Sequence, residues 1–368
     1  MFKDPFSKNK KNEEILQLDE KAYREPEKTW YIKSKKTIVY LVVVLFFSVL
    51  FFVGYRLLSF WLVKAPPLPV KNFGVTFSKT QAEDLGLDWK ETYNAVLNDL
   101  NVPLLRVPAY WTKIEPEDNK FNFEWLDFML AEAASSSADV ILVVGKKLPR
   151  WPECHEPYWV SGEEEEMKKM RVANYITRVV NRYKDNPAVT AWQVENEPFL
   201  DFGLCPKLDK DFLDKEIELV RSLSDKPVIV TDSGEFGWWS GAYKRGDIFG
   251  STLYRTVWSK FVGQFTYPLP PSFFRLKRGA MEHFYGEKPM VIIELQAEPW
   301  GPRLIQYLSL EEQFKSMNPE EFREVLEYIK GTGFDTFYFW GAEWWYWLKE
   351  KQHMPEMWEI AKEAINNL

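Results

Sequence analysis

The chain has 368 residues, which is long enough for one large domain or two ordinary ones. Its net charge is −7, and because the first 36 residues carry +3 and Arg56 adds one more, the part from Lys64 onwards carries −11. An acidic body argues against nucleic acid as a partner, since phosphate binding needs clustered basic residues.

An apolar segment near the N terminus predicts a membrane anchor. Residues 1–36 are polar and charged, with lysines at positions 33, 35 and 36, whereas Thr37–Tyr55 is 19 residues without a charge. Apolar residues continue after Arg56 to Val63, so the segment is long enough to cross a bilayer as a helix. By the positive-inside rule, residues 1–36 form a cytoplasmic tail and the body is exported.

A cleaved signal peptide is the alternative interpretation of this segment. The apolar run is long, however, and Ala65-Pro66-Pro67 places proline where a peptidase would need to cut. We therefore expect an uncleaved signal anchor over residues 37–63, held in the lipid bilayer. Residues 64–71, which include Pro69, predict a stiff spacer.

From Asn72 onwards, short apolar runs alternate with amphipathic segments, the pattern of βα units around a parallel sheet. The predicted strands are Phe73–Phe77, Leu104–Val107, Val140–Val144, Val189–Val194, Val228–Thr231, Ile248–Leu253, Met290–Ile293 and Thr336–Phe339. Eight strands are the number that closes a barrel, so residues 72–368 are predicted to form a (β/α)8 TIM barrel of the α/β class.

Helices are predicted between most of these strands. They cover Asp88–Leu100, Phe123–Ala134, Glu163–Tyr183, Asp209–Leu223, Pro319–Lys330 and Pro355–Asn366. The stretch Arg255–Lys288 is long and interrupted by proline, which predicts a loop and an irregular helix over one edge of the barrel.

Two strand ends deliver carboxylates. The run Val189–Val194 leads to Asn196 and Glu197, and Met290–Ile293 leads directly to Glu294. The carboxyl ends of barrel strands meet at one face, where such folds keep their chemistry. Two acids on separate strand ends are the groups that a glycosidase needs.

Polar and aromatic side chains also collect just after the other predicted strands. The alternative interpretation is that these are ordinary loop residues without a function. They include Arg106 and Trp111 after the second strand, Arg150 and Trp151 after the third, Glu235 after the fifth, Tyr254 after the sixth and Trp340 after the eighth. Aromatic residues make up 17% of the chain, which favours both a Trp-rich core and stacking platforms for sugar rings.

At these residues the chain resembles the retaining glycoside hydrolases of clan A, the (β/α)8 group that includes the cellulase-like family 5 enzymes. The similarity runs from Phe73 to the end, and its most specific parts are Asn196-Glu197-Pro198 and Glu294, 97 residues beyond Glu197. The segment from Arg106 through Ile114-Glu115-Pro116 also resembles the second βα unit of families 39 and 42.

The resemblance implies that Glu197 is the general acid/base and Glu294 the nucleophile. Asn196 would hold the sugar 2-hydroxyl, a contact that strengthens at the transition state. The predicted substrate-binding residues are Arg106, Asn196, Tyr254, Trp340, Trp111 and Trp151, with Arg106 and Tyr254 donating to Glu294 and Trp340 forming the floor of the subsite where the bond breaks. No cofactor and no metal is implied.

Two features leave alternatives open. Glu195 is two residues before Glu197 and Glu298 is four residues after Glu294, so spacing does not exclude Glu195 in place of Glu197 or Glu298 in place of Glu294. Family 5 enzymes usually place a histidine at the end of the third strand, but Val143-Val144-Gly145-Lys146-Lys147 has none. The exact family, and with it the sugar, stays open.

The chain has two cysteines, Cys154 and Cys205. They follow the third and fourth strands, which are neighbours in a barrel, and both loops would lie on the same exported face. We therefore predict a disulfide between them. Metal binding by the two cysteines with His155 is the alternative, and we expect no metal there.

Together these features predict a membrane-anchored retaining glycoside hydrolase, acting by double displacement on β-glycosidic bonds of an extracytoplasmic poly- or oligosaccharide. A catalytically silent carbohydrate-binding barrel is one alternative, although the presence of both glutamates argues against it. A transglycosylase using the same intermediate is the other, and the sequence does not separate transfer from hydrolysis.

Overall fold

In a computed structural model, the chain is described over residues 26–62, 69–205 and 208–367. Most of the predicted cytoplasmic tail and residues 64–68 of the predicted spacer, including Pro66 and Pro67, therefore lie outside the described residues. The chain divides into two units, one ending at Ala65 and the other beginning at Pro66.

The N-terminal unit contains one long helix, Pro26–Leu62. Its segment Lys35–Arg56 has 22 residues and a mean hydropathy of 2.7, and none of it is buried inside the protein. This length and composition suit a single membrane span. A signal sequence has the same properties, so the helix itself leaves both interpretations of the sequence open.

The second unit is a closed barrel of eight parallel strands, as predicted. The strands are Asn72–Thr76, Leu104–Pro108, Asp139–Val144, Val189–Val194, Val228–Asp232, Ile248–Leu253, Met290–Gln296 and Thr336–Trp340. Each strand pairs with the next one along the chain, and the eighth pairs with the first in the register Asn72↔Thr336 to Thr76↔Trp340. The predicted strand ends differ from the observed ones by up to three residues.

The inside of the barrel changes from apolar to polar towards the carboxyl ends of the strands. One buried layer is formed by the small cluster Ile141, Ala191, Ile229, Ile293 and Tyr338. Strand side chains alternate with a period of two, so the next inward positions after Ala191 and Ile229 are Gln193 and Thr231. Arg106 likewise lies two residues beyond Leu104, which packs against the same cluster. The polar layer is therefore built into the strands themselves.

Helices surround the barrel and pack their buried faces on its outer side. The longer ones are Trp89–Asn98, Glu124–Ser135, Glu165–Tyr183, Lys210–Leu223, Ser272–Tyr285, Pro319–Ile329, Ala342–Lys351 and Glu356–Asn366. Short helices that the sequence did not predict follow several strands: Lys79–Asp84, Trp111–Ile114, Ser240–Tyr243 and Leu310–Phe314, with 3-10 turns at Tyr158–Val160 and Ile305–Tyr307.

The region after the sixth strand differs from its prediction. It forms an antiparallel hairpin, Thr256–Ser259 with Gly263–Thr266, followed by the regular helix Ser272–Tyr285. The prolines all precede this helix, and Pro271 stands directly before its first residue with φ of −53°, so none of them interrupts it. The predicted irregularity is therefore wrong for the helix.

Candidate active site

Arg106 is the centre of a buried polar network at the carboxyl ends of the strands. Its side chain is fully buried, and each guanidinium nitrogen has a different partner. Nε donates to Gln193 Oε1 at 2.8 Å, Nη1 to Glu294 Oε1 at 2.6 Å and Nη2 to Asn196 Oδ1 at 2.7 Å. One arginine thus fixes side chains from the fourth and seventh strands in a single arrangement.

Glu294 has a donor on each of its carboxylate oxygens. Besides the ion pair with Arg106, it accepts a hydrogen bond from Tyr254 Oη to Oε2 at 2.9 Å. The predicted contacts of Arg106 and Tyr254 with Glu294 are therefore present in the structure. A carboxylate held at both oxygens and buried beneath the site has the fixed orientation that a nucleophile requires.

Glu197 lies in a different environment from Glu294. Its Oε1 accepts one hydrogen bond from Thr252 Oγ1 at 3.1 Å, and its backbone N–H donates to Thr231 Oγ1 at 2.8 Å. Burial, followed by the negative charge of Glu294, raises the pKa of Glu197 well above its usual value. A carboxyl that keeps its proton near neutral pH can serve as a general acid.

The chain turns sharply where the fourth strand ends, and this separates Glu195 from Glu197. Both residues adopt the left-handed conformation, with φ of 57° and 42°. The strand alternation therefore stops at Val194, and Glu195 accepts the backbone N–H groups of Lys146 and Lys147 at 2.9 and 2.6 Å. Glu195 joins two loops and does not compete with Glu197 as the acid.

Glu298, the other rival, is part of a separate buried ion-pair cluster. It is paired with Arg150, whose Nη2 also donates to Glu343 at 3.1 Å. The Arg150 guanidinium lies over the ring of Trp340, 3.9 Å from its centroid. One face of the predicted floor residue is therefore covered by Arg150, and the role of Trp340 towards a sugar stays a prediction.

The two other predicted tryptophans differ in position. Trp111 is fully buried, and its Nε1 donates to Glu115 at 2.8 Å, so the prediction that it binds substrate is wrong: it belongs to the core. Its ring packs against Trp159 and Tyr175 on the outer side of the barrel. Trp151, in contrast, is 50% exposed at the rim and stays a candidate.

Cys154 and Cys205 are free thiols in this structure, and the disulfide between them stays a prediction. The two loops are adjacent, as expected for neighbouring strands. A hydrogen bond with Cys205 is the main reason why the pKa of the Cys154 thiol is lowered. The proximity of the two side chains, which the disulfide requires, is therefore as the sequence predicts.

The structure adds functional residues that sequence reasoning missed. Glu153 accepts a hydrogen bond from Asn196 Nδ2 at 3.1 Å. Gln193 accepts a hydrogen bond from Arg106, and Thr252 donates one to Glu197. Gln193 could have been found from the sequence, because it is a polar residue at an inward position of an apolar strand. No sequence pattern marks Glu153 as a site residue, because its position depends on the path of a loop.

The buried carboxyl pair Glu195 and Glu216 leads to a stability prediction. Burial, and then the charge of Glu195, raises the pKa of Glu216 well above its usual 4.5. A raised pKa means that the folded state holds the proton more tightly, so the free energy of unfolding falls as the pH rises above 4.5. Glu216→Gln is expected to reduce this slope, by up to about 1.4 kcal/mol per pH unit, and to be more stable than wild type at pH 8.

Urea unfolding of both proteins between pH 5 and 9 measures this effect. The matched control is Glu218→Gln, which changes an exposed carboxylate on the same helix and should leave the slope unchanged. Parallel pH dependences for Glu216→Gln and wild type would show that the pair does not hold a proton.

Comparison with known protein families identifies two overlapping matches. The sequence model of glycosyl hydrolase family 10 matches residues 72–215, and that of the family 42 beta-galactosidases matches residues 158–285. Both matched ranges include Asn196 and Glu197, and both end before Glu294. The comparisons therefore bear on the first acid, while the case for Glu294 depends on its contacts.

Curated relatives match only part of this chain. Beta-galactosidase Pbg of Clostridium perfringens is 28% identical over 166 residues, which are 38% of this chain and 23% of that protein. Mannan endo-1,4-beta-mannosidase 1 of Solanum lycopersicum is 24% identical over 201 residues, 46% of each chain. The chain thus spans about a quarter of the first protein and about half of the second.

Solved structures share the fold at low sequence identity. A cold-adapted beta-galactosidase from Rahnella sp. R3 superposes with a TM-score of 0.52 at 14% identity, over 75% of this chain and 50% of that one. GH5_18 from Streptomyces cattleya, solved in complex with GlcNAc, gives a TM-score of 0.52 at 11% identity, over 74% and 70% of the two chains. At such identities the likeness concerns the barrel alone.

Proposed function

We propose that this chain is a glycoside hydrolase of clan A and that it cleaves β-glycosidic bonds by double displacement, with Glu294 as the nucleophile and Glu197 as the acid/base. The observation that carries the proposal is the contrast between the two carboxyl groups. Glu294 has donors on both oxygens, whereas Glu197 is buried with a raised pKa. The two environments fit the two roles of a retaining enzyme.

Each group then has a defined task in the two steps. In the first, a Glu294 oxygen attacks the anomeric carbon while the bond to the leaving-group oxygen breaks, and Glu197 gives that oxygen its proton. The negative charge that raises the pKa of Glu197 disappears when Glu294 becomes an ester. In the second step Glu197 takes a proton from water, the resulting hydroxide attacks the anomeric carbon, and Glu294 leaves as a carboxylate.

A row of aromatic rings supports a carbohydrate as the substrate. Trp300 packs against Tyr254 with ring centroids 5.3 Å apart, Phe202 lies 5.8 Å from Trp300, and Trp151 lies 6.3 Å from Phe202. The row begins at a hydrogen-bond partner of Glu294 and ends at the half-exposed Trp151. Sugar rings pack their C–H faces on such surfaces, so we propose that these rings line the path of the substrate.

The proposed substrate is an extracytoplasmic poly- or oligosaccharide. Supporting this, the acidic barrel follows a helix that suits a single membrane span, with lysines on its N-terminal side. In this arrangement the N terminus is cytoplasmic and the barrel lies on the other side of the membrane.

The full-length protein in detergent is to be assayed on β-galactosides, β-mannan, xylan and β-glucan. Cleavage of at least one, with the β-anomer as the first product in a proton NMR time course, is expected from two displacements at the anomeric carbon. A first product in the α-configuration would contradict the retaining mechanism. Binding without cleavage would favour the silent barrel, and transfer to an added sugar acceptor at the expense of hydrolysis would favour the transglycosylase.

The anchoring is tested separately in intact cells or spheroplasts of the expressing host. A protease added from outside should digest the barrel, while a tag at the N terminus stays protected until the membrane is opened. Carbonate extraction should leave the protein in the membrane fraction. A protected barrel, or a mature protein that lacks residues 37–63, would contradict the proposed anchor.

A further inference from the structure

Hydrogen bonds to both the oxygen and the nitrogen of its amide fix the orientation of the Asn196 side chain. Its Oδ1 accepts from Arg106 Nη2 at 2.7 Å and lies 3.4 Å from Gln193 Nε2. Its Nδ2 donates one hydrogen to Glu153 Oε2 at 3.1 Å. An amide nitrogen carries two hydrogens, so the second remains for another acceptor. If either end lost its partner, the amide could rotate and present its oxygen in place of the nitrogen.

Glu153 is held rigidly beside Asn196 by the loop that follows the third strand. Its N–H donates to Arg150 O at 2.7 Å and its carbonyl accepts from Leu148 at 2.8 Å, which closes a tight turn. Its own backbone is left-handed, with φ of 68°, and its side chain is 7% exposed. Such a conformation in a buried residue is maintained only by surrounding contacts.

The loop after the fourth strand is shaped to leave room for Glu153. A Cβ added to Gly203 would lie 2.5 Å from the Cβ of Glu153, closer than two such atoms can approach. Gly203 also has φ of +84°, which favours glycine. Leu204 N donates to Pro152 O at 3.0 Å and so fixes the two loops together. The loop packing therefore accommodates a glutamate at this position.

We propose that Glu153 is a positioning residue: together with Arg106 it holds the Asn196 amide so that its free N–H faces the 2-hydroxyl of the sugar. This inference rests on the proposed function, because it takes the sugar to lie between Glu197 and Glu294. The contact concerned is the one that strengthens as the transition state forms. Glu153 thus controls a transition-state interaction without taking part in bond breaking.

The protonation of Glu153 fits this role. Burial, and then the charge of Glu294, raises the pKa of Glu153 to about 8, so at neutral pH it is mostly a neutral acid. A glutamine has the same shape and is also neutral, and its carbonyl oxygen can accept the Asn196 hydrogen bond. Alanine removes the acceptor. The pair Glu153→Gln and Glu153→Ala therefore separates the hydrogen bond from the carboxyl group itself.

The test compares two substrates. The first is the 4-nitrophenyl β-D-galactopyranoside, glucopyranoside or mannopyranoside that the wild type cleaves fastest, and the second is the same glycoside without its 2-hydroxyl. For the first, Glu153→Ala is expected to lower kcat about 10- to 100-fold with little change in KM, since one oriented hydrogen bond is lost. For the 2-deoxy substrate the loss should be less than about threefold. Glu153→Gln should stay within about threefold of wild type on both.

The matched control is Glu156→Ala in the same loop, whose carboxylate pairs with Lys168 at 3.2 Å and does not contact Asn196 in the described structure. It should leave both rates unchanged. Equal losses on the two substrates for Glu153→Ala, or no loss on either, would overturn the positioning role. A wild type that cleaves neither these substrates nor β-mannan, xylan or β-glucan would instead contradict the proposed function, so the two failures are distinguishable.

Discussion

Glu294→Ala is expected to abolish turnover of every β-glycoside, whatever leaving group it carries. The carboxylate that Arg106 and Tyr254 hold would be absent, so no glycosyl-enzyme could form. Glu197→Ala should behave differently, because it removes only proton donation and, later, base assistance. A sugar leaving group needs that proton, so cleavage of the natural substrate should fall by roughly the 10²–10⁴ typical of general acid catalysis.

An activated aryl glycoside separates the two variants. Dinitrophenolate leaves without a proton, so the first step should survive in Glu197→Ala and give a burst of phenolate. Slow turnover should follow, as the glycosyl-enzyme accumulates without a base to activate water. Stopped-flow absorbance measures both phases, and mass spectrometry of the quenched enzyme should detect the added sugar.

The opposite pattern would reverse the two roles. A burst from Glu294→Ala, with Glu197→Ala inactive on both substrates, would make Glu197 the nucleophile. Wild-type rates in both variants would place the chemistry elsewhere. Glu195→Gln is a useful comparison, because its carboxylate is the neighbouring acid in sequence but is held by backbone N–H groups in the loop after the third strand.

The strands and the positions of Glu197 and Glu294 at strand ends could be predicted because they depend on local patterns. Eight apolar runs of the right length close a barrel, and parallel strands bring their carboxyl ends to one face whatever the loops do. Arg106, Asn196, Glu197 and Glu294 each lie on a strand or within three residues of one. Tyr254 follows the sixth strand directly, and its contact with Glu294 was expected from the resemblance to the clan A enzymes.

The failures occur where loops, rather than strands, decide the position. Glu195 and Glu197 have the same strand parity, but left-handed backbone at both residues breaks the alternation. Trp111 lies three residues after the second strand, yet the short helix Trp111–Ile114 turns its ring into the core. Glu153 reaches the site through a tight turn of its loop, which no periodicity encodes.

Arg106→Lys is expected to lower kcat/KM by about 10²–10³, the range found when one preorganised donor to a reacting group is lost. Lysine keeps the charge, but its ammonium cannot reproduce the planar fork that holds Gln193, Glu294 and Asn196 at 2.8, 2.6 and 2.7 Å. Glu294 and Asn196 would then move independently, although the two must contact the same sugar ring.

The same change should also lower stability, because Arg106 is fully buried and its partners would be left with incomplete hydrogen bonding. Removing one member of a buried ion pair typically costs about 3–5 kcal/mol, and we expect Arg106→Lys to lose part of this amount and Arg106→Met most of it. Urea unfolding followed by tryptophan fluorescence measures the loss.

Tyr254→Phe is the matched control: it removes one hydrogen bond from Glu294 without removing a charge, so stability should change by about 1 kcal/mol while activity still falls. Wild-type kinetics in Arg106→Lys would mean that Glu294 is oriented without the guanidinium, and the network would then serve folding rather than catalysis.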